Sequence, residues 1–288
     1  MILITGASGH LGHSIVEQLL PKLSEGEKLV ACSRSSEKLS HFKEQGVEVR
    51  EADYDDKNSL IKAFRGVNKV LLISSHAPNQ QRIQQHKNAI SAAVLAGTKH
   101  VCYTSFTNAV PESRFLFAEV HAKTEALLKS SGLTYTIFRN AWYADLFTEG
   151  IAQVLQQGKL EAAAEEGRIN SIPRSEIAAA VSQVLSTNNY GNSTLELTGP
   201  ETFSYEEVAA WISEAYQQEV KYMDVNTEQI RKLYGGDSPF GFEIQGIISS
   251  YEAMQANEYN YVSDDFETIM GRKPMSVKEF IQKQAAKS

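Results

Sequence analysis

The sequence is poor in cysteine: Cys32 and Cys102 are the two it has in 288 residues. Each lies inside a predicted buried strand, LVACS or HVCYT, where a thiol serves as a small core hydrophobe. Neither a disulfide framework nor a metal site is expected. No run approaches the ~18 apolar residues of a membrane span. Dense Lys/Arg runs are also missing, and the net charge is −7. Non-specific nucleic-acid binding depends on a basic stripe that displaces counterions, so that class is not expected. There is no internal repeat and no low-complexity tract. A strand entered at residue 2 leaves no room for a signal peptide, and a cytoplasmic location is the expectation.

What is present is ordinary globular material, 42% hydrophobic and 22% charged, in a chain long enough for a full-sized core. It opens MILITGASGHLG, in which Gly6, Gly9 and Gly12 are spaced three apart between an apolar run and Leu11, Ile15 and Leu19. That is the pattern of a buried strand, a tight turn and a helix. Further strands are predicted at KLVACS, VEVREA, KVLLIS, KHVCYTS and LTYTIFR. Helices are predicted at Leu11–Lys22, roughly Glu37–Gln45, Lys57–Phe64, Gln80–Ala96 and about Ala118–Ser130, with Gly46, Gly66, Gly97 and Gly132 where each of the last four should stop. Such β-α repeats with near-continuous apolar strands predict an α/β fold, a Rossmann-like doubly wound parallel sheet.

After Arg139 the pattern loosens. Residues 142–158 look helical, 175–187 reads as an amphipathic helix, STLELTG at 193–199 as a strand, and Ser204 with Glu207 as a capping box opening YEEVAAWISEAY. The segment 220–288 looks polar and helical. The expected division is a dinucleotide-binding domain at 1–150, to which about 175–215 returns, and a smaller, mostly helical substrate-side subdomain from about 151–174 and 216–288.

A turn without side chains lets a diphosphate approach the backbone, and the following helix offers free N–H groups and its positive dipole end. Gly6, Ser8, Gly9, His10, Leu11 and Gly12 are therefore the candidate cradle. NAD sites carry an acidic residue at the end of strand two. Here that place reads ACSRSSEK. Arg34, with Lys38 nearby, suits a 2′-phosphate, so NADP(H) is the expected cofactor; a solvated loop arginine is the alternative. Asp53, in EADYDD, is a candidate acceptor for the adenine amino group or else a helix N-cap, a role Asp55 or Asp56 would also fill. Ser74 and Ser75 end strand four where the nicotinamide ribose should pass, or are plain turn residues.

The segments GASGHLG, VACSR, EADYDD, VLLISS, HVCYTS, AKTEALL, SGLTYTIFRNAWY and LELTGPETFSYEEVA resemble, in order, the NmrA-like branch of the atypical short-chain dehydrogenase/reductases, in particular its bacterial type 2 NAD(P)H:quinone oxidoreductases. The resemblance covers nearly the whole chain and is strongest over residues 1–143. It implies NADPH binding, no flavin, no metal and two-electron reduction of a quinone. Short-chain dehydrogenases usually carry Tyr-x-x-x-Lys on the helix after strand five, with a Ser at that strand's end. Aligned on AKTEALL, Lys123 takes the Lys position as a candidate ribose ligand, Glu119 the Tyr position, and Ser105, after Thr104, lies near the Ser. Lys123 also reads as an exposed lysine paired with Glu119 at i, i+4. His121 is either a proton donor or a hydrogen-bonded helix histidine.

The missing acid separates chemistries. Ketone reduction must protonate an alkoxide, and losing the acid should cost about 10²–10⁴ in rate. Hydride addition to a quinone leaves a delocalised phenolate-like oxygen, which titrates near 10 as a phenol does, and water meets that demand. The candidate acceptor site is Phe106 with Asn140, Trp142 and Tyr143, where a flat quinone stacks on rings and accepts from Asn140 or the Tyr143 hydroxyl. Packing at the junction of the two domains is the alternative for Trp142 and Tyr143. The stretch YGGDSPFGF, 234–242, is a lid or a surface loop. A homodimer stays open. The expectation is an NADPH-dependent quinone reductase; the alternative is a non-catalytic NADP(H)-binding redox sensor that reports to a protein partner.

Overall fold

Strand and helix alternate without a break over the first half of the computed structural model, which describes residues 1–234 and 241–287. In chain order these are β1 (Ile2–Ile4), α1 (His10–Leu19), β2 (Leu29–Ser33), α2 (Ser40–Glu44), β3 (Glu48–Glu51), α3 (Lys57–Phe64), β4 (Lys69–Leu72), α4 (Asn79–Ala96), β5 (His100–Phe106), α5 (Ala118–Lys129) and β6 (Thr134–Asn140). The second half adds β7 (Trp142–Tyr143), α6 (Ile151–Gln157), β8 (Lys159–Ala162), β9 (Ile169–Ile172), α7 (Arg174–Leu185), β10 (Ser193–Leu197), β11 (Thr202–Phe203) and α8 (Tyr205–Tyr216). It closes with β12 (Lys221–Asp224), α9 (Thr227–Tyr234), α10 (Gly241–Gln255), α11 (Asp265–Met270) and α12 (Val277–Ala285).

Seven strands form one parallel sheet in the order β10-β6-β5-β4-β1-β2-β3. Strand alternation divides the core. Ile2, Ile4, Ala31, Leu71 and Phe138 face α1 and α7, whereas Leu3, Val30, Val70, Val101 and Ile137 face α3, α4 and α5. The order reverses direction between β1 and β4, which opens a crevice at the carboxyl ends of those two strands. Gly46, Gly66, Gly97 and Gly132 all take positive φ where their helices stop. Cys32 and Cys102 are free and buried, and burial pushes both thiols up to about 12, so they are packing groups. Among the described residues no helix is long and apolar enough to cross a membrane.

The second half departs from expectation in two places. Trp142 and Tyr143 start no helix; they form a short strand beside β9, which pairs in turn with β11. Within 220–288, Lys221–Asp224 is a strand parallel to β8. Both pairings join residues far apart in sequence, so local periodicity carries no sign of them. Of the stretch 175–215, α7 packs on α1 and β10 joins the sheet, whereas α8 packs against α12 and β12. Helices α8, α9, α10 and α12 share a second apolar cluster with Phe147 and Ile169, whereas α11 packs against α7 and β10 in the first. The Ser204–Glu207 capping box is present, and Ser276–Glu279 forms another at α12.

Candidate active site

The turn after β1 is tight for definite reasons. Gly6 sits at φ +59°, a left-handed conformation that favours glycine. A Cβ on Gly12 would run into the Gly6 carbonyl and come within 2.9 Å of the Ala7 Cα. Helix α1 has no side-chain cap, so its first N–H groups are left for a ligand. Leu11 adds only backbone, because its side chain is buried in the core; His10 and Ser8 are exposed at the turn.

A cavity of about 330 Å³ runs from this turn along the strand ends, lined by Gly6, Ser8, Gly9, Arg34, Asp53, Ser74 and Ser75 among others. Arg34 is exposed at its end and has no ion-pair partner among the described residues. The acidic side chain nearby, Glu51, is occupied: the Ser36 amide and hydroxyl donate to it at 2.8 and 2.6 Å and hold its carboxyl below the usual range. Asp56 is the α3 N-cap, accepting from the Asn58 and Ser59 amides. Asp53 is thereby left in the cavity wall, with one oxygen on the Asp55 amide. These features fit a dinucleotide diphosphate carrying a 2′-phosphate. Lys38 lies on the short 3-10 turn Ser36–Leu39, outside the lining residues. Thr104 is buried behind Ser74, whose amide donates to its hydroxyl at 2.9 Å.

A second cavity, about 350 Å³, is walled by Trp142, Tyr143, Phe147, Tyr205, Tyr251 and Met254, with further apolar residues and the carboxylates of Glu149 and Glu161. Asn140, 2% exposed, stands at the end of β6, and neither of its amide atoms meets a hydrogen-bond partner of good geometry among the described residues. The buried Trp142 Nε1 is likewise unpartnered. Burial pushes the Tyr143 phenol up, against the opposing pull of Arg174, the Asn140 amide and Arg82. The Arg174 guanidinium lies 4.6 Å over its ring. Phe106 does not line this cavity. It packs on Trp142, Phe115 and Tyr259 with centroids 4.9, 5.0 and 5.6 Å apart. The loop that carries Phe115 is pinned from far along the chain by Glu258, which accepts from Asn108 Nδ2, Ser113 Oγ and the Arg114 amide at 2.8, 2.6 and 2.9 Å.

The sequence matches the NmrA-like family over residues 1–281. The chain belongs to the NmrA-like family. It is 37% identical over 226 residues to quinone oxidoreductase 2 of Escherichia coli, covering 78% of each chain. The structure of Citrobacter sp. triphenylmethane reductase superposes with a TM-score of 0.91 at 36% identity, covering 100% of this chain and 99% of that one. The E. coli NADPH-dependent quinone oxidoreductase in complex with NADPH gives 0.91 at 31% identity, with 99% of both covered. This NmrA-like protein is an NAD(P)H-dependent reductase of moderate identity to quinone oxidoreductase 2.

In this NmrA-like chain Lys123 takes the setting that the sequence offers as its alternative, an exposed lysine paired with Glu119. Glu119 and Lys123 form an ion pair at 2.5 Å, each about half exposed, and neither lines a cavity. One helical turn puts both on the solvent face. His121, ~200° around the axis, points inward instead. It is 5% exposed, 2.9 Å from the Tyr103 hydroxyl and 3.4 Å from Arg82 Nη2. Ser105 also turns away: its hydroxyl donates to Glu125, which Arg139 grips through Nε and Nη2 at 2.9 and 2.8 Å. Arg82 itself is a residue that motif reading passed over. Its Nη2 and Nε donate to Ser74 Oγ at 2.7 and 3.2 Å. His86, one turn on, accepts from the Ser75 amide at Nε2, which places its proton on Nδ1 toward Thr124. Burial and then Arg82 lower both histidines, His86 to about 3 and His121 well below its ordinary value. Both rings are neutral. Among the described residues no group of three or more His, Cys, Asp or Glu side chains is placed to hold a metal. Of the 234–242 stretch, residues 235–240 lie outside the described residues.

Proposed function

We propose that this protein is an NADPH-preferring quinone reductase that delivers a hydride directly to its acceptor, with no flavin between. One observation carries the reading: the chain has an aromatic cavity suited to a flat acceptor, while the usual acid position holds Glu119, a solvent-facing carboxylate tied to Lys123 and outside that cavity's lining. The histidines do not replace it as charged acids, because His86 and His121 are neutral, and burial pushes the Tyr143 phenol up, which weakens it as an acid. An alkoxide would lack its proton, whereas a quinone tolerates the vacancy. NADPH supplies the hydride from C4 of its dihydronicotinamide and leaves as NADP⁺, while the quinone becomes a hydroquinone monoanion and takes its second proton from water.

The chain's own residues divide the work. The amides from Gly6 to Gly12 hold the diphosphate, Arg34 the 2′-phosphate, Asp53 the adenine edge, and Ser74 and Ser75 the ribose next to the nicotinamide. Trp142 and Tyr143 give the acceptor a flat apolar wall, and the unpartnered Asn140 amide and Trp142 N–H meet its oxygens. Relatives support the class: one is named a quinone oxidoreductase and another, at 25% identity, an NAD(P)H azoreductase. The test is NADPH absorbance decay with benzoquinone and menadione. Steady turnover, faster with NADPH than NADH, is expected. Tight NADPH binding without turnover of either quinone would replace the enzyme with the redox-sensor reading.

A further inference from the structure

Arg82 lines neither cavity but acts on a wall residue of each. It donates to Ser74, which lines the cofactor cleft, and its charge reaches Tyr143, which lines the aromatic cavity. Its other neighbours are the neutral His121 ring at 3.4 Å and the Phe117 ring 5.6 Å below the guanidinium carbon. None of these partners is an anion, although the side chain is only partly exposed and desolvation opposes its charge. A guanidinium partly withdrawn from water without a carboxylate is costly, and it implies an anionic partner in the working state. The dinucleotide's phosphates are met elsewhere, at the β1 turn and Arg34. What develops negative charge between Ser74 and Tyr143 is the acceptor that has just gained a hydride. Arg174 also lies over Tyr143 but is paired with Asp145 and Glu149, whereas Arg82 has no carboxylate partner among the described residues, and its own field helps keep His86 and His121 unprotonated.

We propose that Arg82 is a catalytic residue of this reductase, which contacts the oxygen of the reduced acceptor and stabilises its negative charge in place of the absent acid. The assignment rests on the quinone reading above. It makes the site an electrostatic one: the acceptor oxygen needs a fixed cation during hydride addition and a proton only afterwards, from water.

The test separates charge recognition from turnover. Wild type, Arg82→Lys and Arg82→Met are titrated, in the presence of NADP⁺, with 4-nitrophenolate as a mimic of the anionic product and with neutral 4-nitroanisole as its uncharged counterpart. The expectation is that Arg82→Met weakens nitrophenolate about tenfold or more and leaves nitroanisole and NADPH binding within twofold, with Arg82→Lys between. In single turnover with benzoquinone, Arg82→Met should slow hydride transfer about 10²-fold. Equal nitrophenolate binding by wild type and Arg82→Met, including no binding by either, overturns the proposal. So does parallel loss of both ligands, which marks a structural role, or an unchanged quinone rate. A wild type that holds nitrophenolate through Arg82 yet reduces no quinone overturns the quinone reading and leaves the anion site standing.

Discussion

The two cavities are built from different kinds of information. The cofactor cleft is made mainly by short turns that directly follow strands β1, β2, β3 and β4, so all of its wall residues but Leu60 and Gln85 lie within a few positions of a sheet residue. The aromatic cavity gathers residues from 142 to 254, carried by two-residue and four-residue strands, a 3-10 turn and four helices. One is a product of local pattern on a regular sheet, the other of long-range packing. Relatives fit that contrast: structures with the same overall fold are named for reducing quinones and triphenylmethane dyes. A shared nucleotide cleft with an exchangeable acceptor wall is how this fold changes substrates.

If the contrast holds, changes on one side should leave the other intact. The largest effect is expected from Gly12→Ala, which forces a methyl into the Gly6 carbonyl and the Ala7 Cα. It should remove about 3 kcal/mol or more of stability and at least tenfold in NADPH affinity, read by denaturant midpoint and fluorescence titration. Next is acid. His86, His100 and His121 are held neutral in the fold, His86 to about 3 and His100 to about 4, burial being the first cause of each. The unfolded chain takes up protons on them below about 6.5, so stability is full above that pH and falls as pH drops through it toward 4. Each contributes a slope of up to about 1.4 kcal/mol per pH unit. Melting temperatures from pH 7 to 4 check this, and His86→Asn should flatten the curve.

Arg34→Asp should cost NADPH about 2 kcal/mol and shift preference toward NADH by tenfold or more, with the quinone KM unchanged. A quinone KM that moved in parallel would erase the contrast. On the other side, Trp142→Phe deletes an unpartnered buried N–H. Stability should change by less than about 1 kcal/mol in either direction, while the acceptor KM rises severalfold and the NADPH dissociation constant stays put. The smallest effect belongs to Lys123→Met. An exposed i, i+4 pair is worth about 0.3–0.5 kcal/mol, and NADPH affinity should stay within twofold; a tenfold loss would restore Lys123 to the cofactor site.

The same contrast explains what could be read in advance. All seven strands of the main sheet overlap segments predicted as strands, with glycines closing four of the helices between them, and Lys57–Phe64 forms over the predicted bounds. Strands such as Trp142–Tyr143 and Thr202–Phe203 are too short for any period to register, and their partners lie about 30 residues away. Within the site, Arg34, Asp53, Ser74 and Ser75 were legible because they end strands. For Lys123 the sequence offered a ribose ligand or an exposed partner of Glu119, and the structure shows the pair: 119 and 123 share a side that 121 does not. Arg82 left a signal of its own. In NQQRIQQHKNAI the positions 82, 86, 89 and 90 fall on one stripe, and the buried part of it, His86, Ala89 and Ile90, continues to Ala93. Arginine and histidine on a core-facing stripe mark a polar cavity above it.

Glu258 has a bearing on how the molecule comes into being. Its carboxylate fastens a loop some 150 positions earlier in the chain, so nothing made before it can hold that loop in place. During synthesis the nucleotide-facing half would be ready while the loop that carries Phe115, whose ring packs on the wall residue Trp142, is not yet fastened. A nascent chain stalled short of this glutamate should therefore retain coenzyme yet discriminate poorly among electron acceptors.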